Sequence, residues 1–222
     1  MAYKDSLISR FEASISQVEE LLVIHNYLQS VPNTQITDNL LRAALTMLVS
    51  AIDTSIHELI INAIKFELIE NKSVFQIDNI KIGIFVFRGS DLENRLRLIE
   101  SELRKQYAKE SFQSSRQIES VLATIGITKI WTKLSNILNQ RPEDIKTSLD
   151  LLVRRRNQIV HEGDLDHLHN LQEIKRQDIE TSLQFTKNMV YGIIKEYSNL
   201  IGDDLTLTDI GGNSVGNAET ES

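Results

Sequence analysis

The chain contains no cysteine, so neither a disulfide nor a thiolate metal site is open to it. Only two prolines and nine glycines occur among 222 residues, which leaves room for long uninterrupted helices. Basic charge is also in short supply. Lys and Arg number 24 against 31 Asp and Glu, a net charge of −7. A protein that held nucleic acid over its whole surface would be basic, so any such contact here must be local. The N-terminal Met1-Ala2-Tyr3-Lys4-Asp5 lacks the basic-then-apolar pattern of a signal peptide. No apolar stretch reads as approaching the roughly 20 residues that cross a bilayer. Together with the missing cysteines, these features point to a cytoplasmic protein. No segment has the pattern of a phosphate-binding glycine loop, a nucleophile elbow or a carboxylate metal cluster.

What is present is ordinary globular chemistry with strong helical spacing. Hydrophobic residues make up 41% and charged residues 25%, enough to bury a real core. Over residues 5–30, Ile8, Phe11, Ile15, Val18, Leu22 and His25 recur at helical intervals, and Pro32 ends the run. His25 lies on that apolar face, where a packed histidine is expected. Thr37 or Asp38 suits the cap of a second helix reaching towards Asn71. Apolar on most sides, it reads as the most buried element. Residues 73–88 are rich in β-branched and aromatic side chains, and read as a short strand pair or an extended connection.

Helical spacing resumes from Asp91 through Tyr107, then over 115–126 and 128–139, with Trp131 expected in the core. Pro142, followed by Glu143 and Asp144, is a good helix start, and Gly163 a good stop. A last helix is expected from about Leu171 to Leu200. Residues 203–222 hold three glycines, five acids and no Lys or Arg, the composition of a disordered acidic tail. The expected organisation is one helical domain over 1–202 followed by that tail.

The most informative run is Arg154-Arg155-Arg156-Asn157-Gln158-Ile159-Val160-His161-Glu162-Gly163-Asp164. Arginine binds phosphate oxygens through a fixed fork of donors. Histidine exchanges a proton near neutral pH. On an ideal helix Ile145, Leu149, Leu152, Val153, Arg156, Ile159 and Val160 share a stripe. Arg156 is therefore either a partly buried ion-pair member or a group presented at an apolar interface. Asp150, Asn157 and His161 form a polar line along the stripe's edge. Arg156 and His161 diverge by about 140°, so one helix does not readily aim both at a single phosphate. Two copies related by a twofold axis would set two such pairs around one groove, and a homodimer with a composite site is expected.

Other candidates carry less. Thr46, Ser50, Asp53 and His57 draw a polar line on the apolar second helix, which an internal hydrogen-bond network would explain. His167 and His169 lack the spacing of a metal pair and suit a surface loop. No cofactor or metal is called for.

The R-N-x-x-x-H run with Gly-Asp following resembles the signature of the HEPN superfamily. Leu41 to Asp53 and Leu149 to Val153 resemble its RiboL-PSP-HEPN branch, and the similarity covers roughly residues 35–200. The resemblance implies an all-α HEPN-type bundle with an elaborated middle section. It also implies metal-independent endoribonuclease activity of the kind used by bacterial toxins and anti-phage effectors, commonly through dimers whose motifs face each other. Arg156, Asn157 and His161 would be catalytic. Arg155 is an alternative working arginine, since the family tolerates the longer spacing, and Asp53 would support the site as acids do in some relatives. The partners implied are RNA, a second copy of the chain and an antitoxin or regulatory protein. Gly163 stands where some HEPN toxins carry a tyrosine used for control by AMP transfer, which puts that control in doubt here. The competing reading is a catalytically silent HEPN module that dimerises and binds a partner protein or nucleotide.

Overall fold

The structure is a computed structural model that describes residues 2–29, 34–70, 91–107 and 109–202. The segment 73–88 and the tail 203–222 lie outside the described residues, apart from three more short gaps. Among the described residues seven helices follow one another: α1 (Ala2–Leu28), α2 (Thr34–Glu70), α3 (Leu92–Tyr107), α4 (Ser115–Thr124), α5 (Ile130–Leu138), α6 (Pro142–Glu162) and α7 (Arg176–Ile201). Among the described residues there is no strand, only an isolated antiparallel bridge between Leu165 and Leu171. The architecture is all-α.

α2 is the hub, packed by α1, α3, α6 and α7. Its Ala44, Leu48, Val49, Ile52, Ile56, Leu59, Ile60 and Ile64 are all buried. By length and apolar content Thr37–Glu67 does match a membrane span, contrary to the sequence expectation. Here 61% of the apolar window is covered by the other helices, so the apolarity is that of a core helix. Phe11, Ile15, Val18 and Leu22 of α1 close one side of it. Trp131 is buried in α5, as expected. Buried Glu58 of α2 receives Arg10 of α1 at 2.9 Å and Arg104 of α3 at 2.5 Å, tying three helices through one carboxylate.

Local chemistry sets the boundaries near the motif. Ser114 caps α4 in a reciprocal box: its hydroxyl accepts from the Gln117 amide at 3.3 Å, and the Ser114 amide donates to Gln117 Oε1 at 3.1 Å. α6 begins at Pro142 and ends at Gly163, whose φ of 66° is left-handed. α2 starts at Thr34, one turn before the expected Thr37 or Asp38 cap. α7 starts at Arg176 rather than near Leu171. The intervening backbone is committed elsewhere, with the Gln172 amide donating to the Asp164 carbonyl at 2.9 Å and the Asp166 amide to Asn170 at 2.8 Å. Asp166 Oδ1 accepts from the Leu168 and Asn170 amides at 2.8 and 2.9 Å, closing a tight turn.

Candidate active site

α6 holds the motif by its first three turns, where Ile145, Leu149 and Leu152 are buried against the core. The expected stripe then thins out. Val153 and Ile159 are partly buried, and Val160 is 49% exposed. The end of α6 therefore projects its motif residues away from the core, and something else must fix that end.

The anchor is Asp164, which is 1% exposed. Its amide closes α6 by donating to the Gln158 carbonyl at 3.0 Å. Its carboxylate accepts from Arg42 Nε at 2.6 Å and from Arg155 Nη2 at 3.0 Å, and it also pairs with Arg155 Nη1. Both arginines go on to backbone: Arg42 donates to the Gln172 carbonyl at 2.7 Å and Arg155 to the Glu173 carbonyl at 3.1 Å. One buried carboxylate thus clamps α2, α6 and the 164–174 connection together. A buried charge is tolerated only when paired and hydrogen-bonded in this way. Arg155 is committed to this clamp.

Its neighbour Arg156 is not. Among the described residues Arg156 has no carboxylate partner, and its Nη1 donates to Asn157 Oδ1 at 2.9 Å. That bond turns the guanidinium sideways, from the stripe towards the polar line of Asp150, Asn157 and His161. The backbone directions of Arg156 and His161 still diverge, yet the arginine head reaches the residue one turn below the histidine. Asn157 and His161 are exposed. Asp150, on the same line, accepts from the Ser115 amide at 3.0 Å and the Ser115 hydroxyl at 2.9 Å, holding the start of α4 against α6. The chemistry available is a half-buried guanidinium that could bind phosphate, an amide that orients it, and an exposed proton carrier.

Asp53 makes its hydrogen bonds elsewhere. Oδ1 accepts from the Phe112 amide at 2.6 Å, and Gln113 donates to Oδ2 at 3.5 Å. His57 Nε2 stands 3.6 Å from Oδ1, with its ring against Phe112 and Tyr107. Burial on its own would raise the Asp53 carboxyl. The bonds from His57 and the Phe112 amide outweigh it and hold the group below its ordinary value. Thr46 and Ser50 do not join this group: each hydroxyl donates to the carbonyl one turn back, to Arg42 at 2.9 Å and Thr46 at 3.1 Å. His25 is buried, and burial followed by nearby Arg176 pushes its pKa down. His167 and His169 are exposed on the turn after α6. Among the described residues no three His, Asp or Glu side chains group as metal ligands would.

Sequence reasoning missed Arg42 as part of this region. A lone arginine among Leu40, Leu41, Ala43, Ala44 and Leu45 was the available signal, because a charge on so apolar a helix needs a partner.

Residues 12–199 match the family model of RiboL-PSP-HEPN. No curated protein and no solved structure matches the chain.

Proposed function

The chain belongs to the RiboL-PSP-HEPN family, and on that premise we propose that it is a metal-independent endoribonuclease, acting as a toxin or abortive-infection effector in the cytoplasm. One observation carries this reading. Of two adjacent arginines, Arg155 is spent on the Asp164 clamp, while Arg156 has no carboxylate partner among the described residues and turns to Asn157. A purely structural motif would be expected to pair both.

The ribose 2′-hydroxyl attacks the adjacent phosphorus, and the bond from phosphorus to the 5′-oxygen breaks. His161 takes the 2′-proton as general base, or gives a proton to the leaving 5′-oxygen as general acid. In a homodimer the two copies of His161 divide these roles. Arg156 stabilises the charge gathering on the phosphate oxygens, and Asn157 orients the guanidinium. The products are a 2′,3′-cyclic phosphate and a 5′-hydroxyl. DNA, without the 2′-hydroxyl, is not cut by this route. The substrate class is RNA, and an antitoxin or regulatory protein restrains the enzyme in its host.

The test is cleavage of total bacterial RNA in excess EDTA by wild type, Arg156→Ala and His161→Ala. Discrete fragments from wild type alone support the reading. Intact RNA in all three samples would turn it towards a silent module that dimerises and binds a partner.

A further inference from the structure

Six of the eleven arginines among the described residues are paired with a carboxylate. Arg10, Arg42, Arg104, Arg141, Arg155 and Arg176 each stand within ion-pair distance of a carboxylate. Arg116 at the start of α4 and Arg154 on α6 have no such partner among the described residues, although the chain carries seven more acids than bases by formal charge, at −7. Both line one groove of about 560 Å³ between these two helices. Ser114, Ser115 and Arg116 come from α4 and its cap, and Asp150, Arg154 and Asn157 from the exposed face of α6. The groove therefore runs along the face that carries His161 one turn beyond Asn157.

Two carboxylates share the lining, and they differ. Asp150 is engaged by the Ser115 amide and hydroxyl, so its charge is spent on the first turn of α4. Glu162 stands at the His161 end of the groove and is exposed. The balance is two arginines against one uncommitted acid, with hydroxyl and amide groups between them. The volume falls within the range of about 300–1,000 Å³ typical of small-ligand sites, enough for one unpaired nucleotide and too small for a duplex. A positively charged groove tracks the backbone of a single strand, and a polar group on the 2′-hydroxyl tells RNA from DNA.

We propose that this groove seats the ribose–phosphate backbone of single-stranded RNA beside the cut bond, with Arg116 and Arg154 contacting phosphate oxygens from opposite walls. The proposal rests on the ribonuclease reading of Arg156 and His161. It adds Arg116, which lies 40 residues before Arg156 in the chain, as a binding residue. It also makes Glu162 a repulsive element that limits affinity.

The test is binding, read by fluorescence anisotropy of a short labelled single-stranded oligoribonucleotide over a salt series. His161→Ala protein serves as the uncut background. Arg116→Ala and Arg154→Ala should each weaken binding about tenfold, the usual cost of losing a charged hydrogen bond. Each should also lower the slope of log affinity against log salt by about 0.7, the value for one phosphate contact on a single strand. Arg116→Lys and Arg154→Lys should keep the slope, Glu162→Gln should tighten binding, and Arg141→Ala should change nothing. Equal affinity and slope in the arginine variants and their background would overturn the groove and leave the ribonuclease reading intact. So would an uncut background that fails to bind RNA while wild type still cuts it. Neither binding nor cutting by wild type would remove both.

Discussion

Arg42 Nε donates to Asp164 Oδ2 at 2.6 Å, a buried contact between residues 122 positions apart. It fixes the end of the motif helix to the central helix, because Asp164 follows Gly163 directly and shares its carboxylate with Arg155. The catalytic candidates sit on the last turns of α6, where apolar packing has largely ended, and this polar clamp takes over the work of holding them.

Removing the shared carboxylate leaves two arginines confronting each other, with Arg42 buried. Asp164→Ala should therefore cost about 3–5 kcal/mol, the usual range for breaking a buried pair. Urea denaturation checks this. A midpoint within error of wild type would show that the clamp contributes nothing.

Arg155 and Arg156 should separate stability from activity. Arg155→Ala should lower the melting temperature, since it removes one of two arginines from Asp164. Arg156→Ala should melt within about a degree or two of wild type, as expected of a change away from buried pairs. Its cleavage rate should fall about 100-fold or more, as when a donor to a developing oxyanion is removed. Paired melting and single-turnover cleavage assays distinguish the two, and equal melting losses with equal activity losses would contradict the division of roles.

His25 should make the fold sensitive to mild acid. Burial and the nearby Arg176 depress its folded pKa, opposed by Asp38 and Glu180. A depressed histidine binds its proton more readily unfolded, so its stabilisation is full above the ordinary value of 6.5 and declines as pH falls below it. Thermal melts of wild type and His25→Leu across pH 7.5 to 5 provide the check, with a flatter profile expected for the variant. Parallel profiles would show that another group is responsible.

Asp53→Asn should loosen the Phe112–Gln113 connection that leads into α4. The carboxylate accepts from the Phe112 amide at 2.6 Å and faces His57, so a loss of about 1–3 kcal/mol is expected. The folded pKa is below its ordinary value of 3.8, so this stabilisation persists above that value and is lost only as pH falls through the lower folded one. Cleavage per folded molecule separates the roles: unchanged activity means that Asp53 acts through the fold, and a selective fall in rate makes it a support of the site.

How much of this was legible in the chain follows from how local each signal is. The α6 boundaries came directly from Pro142, Glu143, Asp144 and Gly163, because capping and backbone preference act within a turn. The start of α7 did not. Leu171 to Lys175 has no breaker, and tertiary hydrogen bonds hold it out of the helix: Gln172 bonds back to Asp164 and Leu165, and Arg42 and Arg155 donate to the Gln172 and Glu173 carbonyls. The R-N-x-x-x-H spacing pointed to phosphate chemistry and favoured Arg156, but it kept Arg155 open as an alternative working arginine. Neighbouring arginines share composition and local propensity, and they part company only when a carboxylate arrives for one of them.

The sequence by itself determined the helical class, the central apolar helix and the motif at a helix end. Periodicity, capping residues and residue chemistry all operate over a few positions. The tertiary structure decided which arginine is locked to a carboxylate and which turns to Asn157 instead. It also placed Arg42 under the motif and Arg116 across a groove from Arg154. Those relations depend on charges meeting at distances of a few ångströms after the chain has folded back across many tens of residues, and no spacing along the sequence encodes them.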